Sequence, residues 1–81
     1  MITVEVRLYA TLRKYQPEAE LGEGVAFDLA EGTTVGEVVD RELGIPPREV
    51  KVIFVNGVSR KSDHLLADGD RVAIFPPVGG G

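Results

Sequence analysis

Residues 71–81 read RVAIFPPVGGG, from Arg71 to Gly81, and this stretch divides the chain into a folded part and a tail. Val72 to Phe75 has the composition of a short apolar strand, which must stop pairing at Pro76 and Pro77 because proline has no N–H to give a sheet ladder. Alternation puts Val72 and Ile74 on one face and Ala73 and Phe75 on the other. With Val72 and Ile74 turned to a core, Phe75 stands near the surface at the root of the tail. Beyond Val78 come three glycines, Gly79 to Gly81. Six residues from Pro76, fully extended, reach roughly 20 Å, and glycine, lacking a Cβ, suits a segment that threads a narrow channel. Taken alone, such an end reads equally well as a frayed terminus. The expected organisation is one domain over residues 1–75 and a flexible tail over residues 76–81 ending in Gly-Gly.

Upstream, Asp68-Gly69-Asp70 reads as the turn that sets up this last strand. Lys51 to Val55 is rich in β-branched and aromatic residues, and Asn56-Gly57 suits a tight type I′ hairpin turn, with Val58 and Ser59 as the return strand. Val52 to Val55 is continuously apolar, so both of its faces should be covered, one by a helix and the other by loops or a partner. That helix is expected after Glu31-Gly32. Thr34 with Glu37 forms a capping box, and Val35, Val38, Val39 and Leu43 share one face at helical spacing. Gly44 ends it as the C′ residue, Pro46 and Pro47 keep it from resuming, and its length is about two and a half turns. Glu37, Asp40 and Arg41 fall on its solvated side. At the start of the chain Ile2, Val4, Val6 and Leu8 alternate with Thr3, Glu5 and Arg7, the clearest strand of all. Val25, Phe27 and Leu29 repeat the pattern in a second strand, antiparallel to the first across a long loop from Gln16 to Gly24. Tyr9 to Tyr15 carries Leu12 among polar residues and is too short to assign. Two strands, a helix, then two or three strands is an α+β order, a single helix against one face of a mixed sheet of four to five strands. Pattern alone does not say that the first and last strands are neighbours.

The chain has 81 residues, enough for one domain that buries roughly 60 % of its unfolded surface. At 43 % hydrophobic and 27 % charged it has the balance of a globular protein. It contains no cysteine, so neither a disulfide framework nor a thiolate ligand exists. No signal peptide or apolar run of membrane-spanning length is seen, which makes a cytoplasmic location the expectation. A net charge of −4 without a basic cluster argues against nucleic acid and favours a more basic protein partner.

Side chains with catalytic potential do not assemble into a site on paper. Ser62, Asp63 and His64 supply the residue types of a hydrolytic triad, but adjacent residues cannot converge as triad members do, and the lone His64 reads as a surface or turn residue. Asp68-Gly69-Asp70 lacks the further ligands of a calcium loop, and Gly32 to Gly36 lacks the Gly-Lys-Ser/Thr that cradles phosphate. Neither a metal nor a bound cofactor is expected. Ile53, Val55 and Phe75 read as core or sheet surface, or as a docking face for a partner. The remaining reactive group is the carboxylate of Gly81.

The segment DHLLADGDRVAIFPPVGGG, Asp63 to Gly81, resembles the C-terminal signature of the MoaD/ThiS family of ubiquitin-like sulfur carriers. The tail, with Phe75, Pro76, Pro77 and Val78 together, is most similar to the small subunit of molybdopterin synthase. VRLYATLRKY, TTVGEVVDRELG and VNG at residues 55–57 fall in the family's order, so the resemblance spans nearly the whole chain. One departure is Gly79, where relatives often carry Ala, Ser or Thr; Gly80 and Gly81 keep the double glycine. The resemblance implies a β-grasp fold and a co-substrate role rather than an enzyme. An E1-like adenylating partner would use ATP to activate the Gly81 carboxylate, with Gly80 before it, and sulfur would convert it to a thiocarboxylate. It further implies that Phe75, Pro76, Pro77, Val78 and Gly79 engage a partner such as the molybdopterin synthase large subunit. Alternatives within reach of the same tail are a thiazole or tRNA-thiolation carrier, a ubiquitin-like modifier joined to lysines through Gly81, and a plain β-grasp binding module.

Overall fold

The computed structural model describes residues 1–19 and 23–77. Five strands form one mixed sheet: β1 (Ile2–Leu8), β2 (Val25–Leu29), β3 (Val52–Val55), β4 (Val58–Arg60) and β5 (Arg71–Phe75), in the spatial order β2-β1-β5-β3-β4. β1 pairs antiparallel with β2, Ile2 opposite Leu29 and Val6 opposite Val25, as the hairpin reading expected. Its other edge pairs parallel with β5, with Val6 opposite Val72 and Leu8 opposite Ile74. β5 in turn pairs antiparallel with β3, and β3 with β4. The two ends of the chain therefore meet in the middle of the sheet, which is the α+β, β-grasp arrangement.

The core lies between one sheet face and the elements that cross it. Val4, Val6, Val72 and Ile74 from the central strands are almost wholly buried against Val35, Val38, Leu12 and Ile45. Ile53 and Val55 also turn inward, at 7 % and 4 % exposure. The expected helix forms with its capping box intact: the Glu37 N–H donates to Thr34 Oγ1 at 3.2 Å, and Glu37 Oε1 accepts from the Thr34 N–H at 3.0 Å. It is not a regular α-helix of two and a half turns, however. The α-helical turn α1 (Val35–Glu37) widens into a π-helical turn, Val38–Glu42, closed by Leu43 N–H to the Val38 carbonyl at 2.9 Å. A π turn takes more residues per revolution, and here it keeps Val38 and Val39 both facing the core while the Ile45 N–H reaches the Val39 carbonyl. Gly44 follows at φ +67°, the left-handed value foreseen for it.

The stretch Tyr9 to Tyr15, too short to assign from the sequence, contains a 3-10 helix, Ala10–Tyr15, that drops Leu12, fully buried, into the core. The helix does not resume past Pro46 and Pro47, as expected; Pro47 opens a separate short 3-10 turn, Pro47–Glu49, where its missing N–H has no bond to lose. β3 begins at Val52 rather than Lys51, and β4 extends to Arg60. The Asn56-Gly57 turn is as expected, with φ of +53° and +81°, the two positive values a type I′ turn requires.

Candidate functional site

Along β5 the side chains alternate, so Val72 and Ile74 enter the core while Arg71, Ala73 and Phe75 face away from the helix. Phe75 is the last paired residue. It sits opposite Val52, and its carbonyl accepts from the Lys51 N–H at 2.8 Å. On the outer face its ring stacks on Tyr9, with centroids 4.4 Å apart and planes 10° from parallel, and meets Phe54 edge-on at 5.7 Å. Offset and edge contacts of this kind suit aromatic quadrupoles. The three rings form a ridge on an otherwise open sheet face.

Two depressions flank the ridge. One, about 610 Å³, is apolar and is walled by Val52, Phe54, Phe75, Pro76, Pro77 and Ala10, with Lys51 at its edge. The other, about 520 Å³, lies beside Tyr9 and Phe54 and is bordered by Glu5, Arg7, Asn56 and Arg71. Arg7 Nε is 3.0 Å from Glu5 Oε1, whereas the Arg71 guanidinium makes no ion pair among the described residues. The root of the tail thus offers apolar contact area with cationic groups at its margin.

Of the site residues expected from the sequence, Phe75, Pro76 and Pro77 come together here; Val78, Gly79, Gly80 and Gly81 lie outside the described residues. Ile53 and Val55 are no part of the docking face, because the strand's alternation turns them to the core and presents Val52 and Phe54 instead. Sequence reading missed Tyr9 and Phe54. The signal was present: the outward series Thr3, Glu5, Arg7 continues by one step of two to Tyr9, and Phe54 alternates with the two buried residues.

The other motifs of the sequence have the following contacts. Asp68 Oδ1 accepts from the Thr3 N–H and the two oxygens of Asp70 accept from Asn56 Nδ2 and the Ala67 N–H, each at 2.8 Å, so these carboxylates hold turns together. The backbone N–H groups of Val35 and Gly36 donate to the carbonyls of His64 and Ser62, which leaves the start of the helix without free donors there for a phosphate. Ser62 and His64 act through these carbonyls, and no side-chain bond links Ser62, Asp63 and His64 among the described residues. Among the described residues no cluster of His, Cys, Asp or Glu could hold a metal ion, and no helix is long and apolar enough to cross a membrane.

A parallel pair of terminal strands at the centre of a mixed five-stranded sheet, with one helix beneath and the chain leaving through two prolines, defines a ubiquitin-like protein. Residues 1–79 match the Mut7-C ubiquitin family, and the chain belongs to it. Among solved structures it is similar to small archaeal modifier protein 1 of Haloferax volcanii, at 22 % identity over 96 % of this chain and 100 % of that one, with a TM-score of 0.72. It is likewise similar to a Pyrococcus furiosus protein provisionally assigned as molybdopterin converting factor, subunit 1, at 27 % identity over 96 % and 100 % of the two chains, TM-score 0.71. The HVO 2177 protein of Haloferax volcanii gives 26 % identity over 99 % of this chain and 87 % of that one, TM-score 0.73. No curated protein sequence matches significantly. The similarity to MoaD/ThiS-type ubiquitin-like carriers read from the sequence is consistent with these relationships.

Proposed function

We propose that the chain is a sulfur carrier that works through the carboxylate of Gly81. An E1-like enzyme would join that carboxylate to AMP from ATP with release of pyrophosphate, and a sulfur nucleophile would displace AMP to leave a thiocarboxylate. The thiocarboxylate sulfur would then attack an activated carbon of an acceptor held by a second protein and expel its leaving group, and water would cleave the resulting acyl–sulfur bond, which leaves sulfur on the acceptor for the dithiolene of molybdopterin and returns the Gly81 carboxylate. In this reading the chain is a co-substrate, and a tethered nucleophile delivered into a pocket gains rate through high effective concentration. The observation that carries the proposal is the aromatic and proline root, Phe75, Pro76 and Pro77, on a ubiquitin-like sheet immediately before Val78 and three glycines. The 27 % identity to the Pyrococcus furiosus protein supports the molybdopterin branch over thiazole or tRNA thiolation. A second reading, conjugation of Gly81 to lysines of other proteins, has in its favour the fold shared with small archaeal modifier protein 1.

Mass spectrometry after incubation with an E1-like enzyme, ATP and a sulfur donor separates the two. Exchange of one C-terminal oxygen for sulfur is the expected result, whereas Gly-Gly remnants on lysines would establish the modifier. An unaltered Gly81 under conditions that charge a known carrier would refute both.

A further inference from the structure

Phe75 is restrained from three sides before the chain turns away from the sheet. Its carbonyl is bonded to the Lys51 N–H at 2.8 Å, Phe54 meets its ring at 90°, and Tyr9 lies flat against it at 4.4 Å. Tyr9 is itself fixed at both ends. Its N–H donates to the Ile74 carbonyl at 3.2 Å, its carbonyl accepts from the Leu12 N–H at 3.1 Å, and the next residue, Ala10, has φ +52°. A left-handed alanine is uncommon, and such conformations persist only where surrounding contacts impose them. Here the bend at Ala10 lets Tyr9 stay on the outer face while Leu12, three residues on, is fully buried beneath the sheet. Ala10 also borders the same depression as Pro76 and Pro77. Because each proline has a nearly fixed φ, the orientation of Phe75 narrows the directions open to the next two residues.

We propose that Tyr9 is a positioning residue for the tail: its stack on Phe75, held by the same backbone bonds that impose the left-handed Ala10, sets the direction in which Pro76 and Pro77 leave the sheet. The stack does not seal the core, which lies on the other face, so its contribution is to geometry at the tail root. This inference rests on the carrier reading for its consequence, the delivery of Gly81 to an activating enzyme, but not for its structural content. The Tyr9 hydroxyl makes no hydrogen bond among the described residues, so a phenylalanine should serve as well.

Two measurements test it. In ATP–pyrophosphate exchange with an E1-like adenylating enzyme, Tyr9→Leu should lower kcat about tenfold with KM changed less than about threefold, since misplacement of a reacting group costs rate rather than binding. Tyr9→Phe should restore wild-type kinetics. A rise in KM at unchanged kcat would make Tyr9 a docking contact and overturn the proposal, as would wild-type kinetics for Tyr9→Leu. The second measurement needs no enzyme. In weakly aligned samples the Cα–Hα dipolar couplings of Pro76 and Pro77 should fit the same alignment as β5 in the wild type and in Tyr9→Phe, and should collapse toward zero in Tyr9→Leu. Phe75→Leu removes the other ring of the stack while Tyr9 stays, and the same collapse is expected; it decides the matter if Tyr9→Leu does not fold. Couplings unchanged in the folded variants would overturn the proposal. If the enzyme fails to charge even the wild type while the couplings behave as stated, the sulfur reading falls and the positioning role stands.

Discussion

Asp70 is 9 % exposed and carries a charge, a combination that requires compensation. It receives this from Asn56 Nδ2 and the Ala67 N–H, while Asn56 Oδ1 accepts from the Arg71 N–H at 3.0 Å. One carboxylate thus ties the 67–70 turn to the β3–β4 hairpin at the point where β5 starts. Asp70→Ala leaves two donors without their acceptor and is expected to cost about 2 to 4 kcal/mol, from the usual worth of hydrogen bonds to charged groups. Urea unfolding checks this, and a loss below about half a kcal/mol would mean water replaces the carboxylate. Gly36 is constrained differently: a Cβ there would lie 3.0 Å from the Ser62 carbonyl oxygen and 3.0 Å from its Cβ, and the Gly36 N–H already bonds that carbonyl at 2.8 Å. Gly36→Ala should therefore destabilise the fold by about 1 to 3 kcal/mol despite alanine's better helix propensity, an opposition that thermal unfolding can read.

At the scale of the element, the helix start and the two 3-10 segments have separate fastenings. Thr34→Ala removes the cap and is expected to cost about 1 kcal/mol by denaturant titration. The Thr34 backbone N–H and then its hydroxyl hold the Glu37 carboxyl below its ordinary range. Between the 3-10 segments, the Tyr15 hydroxyl donates to Glu49 Oε2 at 2.9 Å and Lys14 Nζ lies 3.2 Å from Glu49 Oε1. The Tyr15 bond, with Lys14, holds Glu49 below its usual pKa, while burial and the same bond raise that of Tyr15. The signs follow from linkage. A depressed carboxylate contributes stability above its unfolded pKa, and the contribution is lost as pH falls through the folded value. The raised phenol contributes below its unfolded pKa, and its part is lost as pH rises through the folded one. Tyr15→Phe should accordingly flatten the alkaline limb of the stability–pH curve and weaken the acid limb, as circular dichroism melts across pH will show. An unchanged alkaline limb would contradict the latch.

For the whole molecule, the order β2-β1-β5-β3-β4 places the two most deeply buried strands at the centre and the exposed β4 at an edge. Amide exchange should be slowest at Val6 and Val72 and fastest along β4, because opening the centre requires global unfolding. Deleting Gly81 should leave the melting temperature unchanged and abolish sulfur transfer if the proposed function holds. The mixture of legible and illegible features follows this architecture. The capping box, the Asn56-Gly57 turn, the left-handed Gly44 and the alternation in β1, β2 and β5 are local, governed by residues within four positions, and could be read directly. The π turn at Val38–Glu42 and the 3-10 helix at Ala10–Tyr15 could not, because each is shaped by what the segment packs against. In the candidate site, Phe75, Pro76 and Pro77 were legible as a strand end, whereas Tyr9, just past β1, and Phe54, on β3, are brought to β5 by strand pairings that no local pattern discloses.

What the sequence determined by itself is therefore the strands, the start and end of the main helix, the buried faces of β1, β2 and β5 and the point where the chain leaves the sheet, since hydrophobic period, caps and prolines act over a few residues. Tertiary structure alone decided that the first and last strands lie side by side and parallel. That contact joins residues more than sixty positions apart, as Val6 to Val72, and it depends on which buried edges fit together around one core rather than on any neighbour in the chain. The same pairing brings Tyr9 onto Phe75, so the geometry at the root of the tail belongs to the fold and not to the tail's own residues.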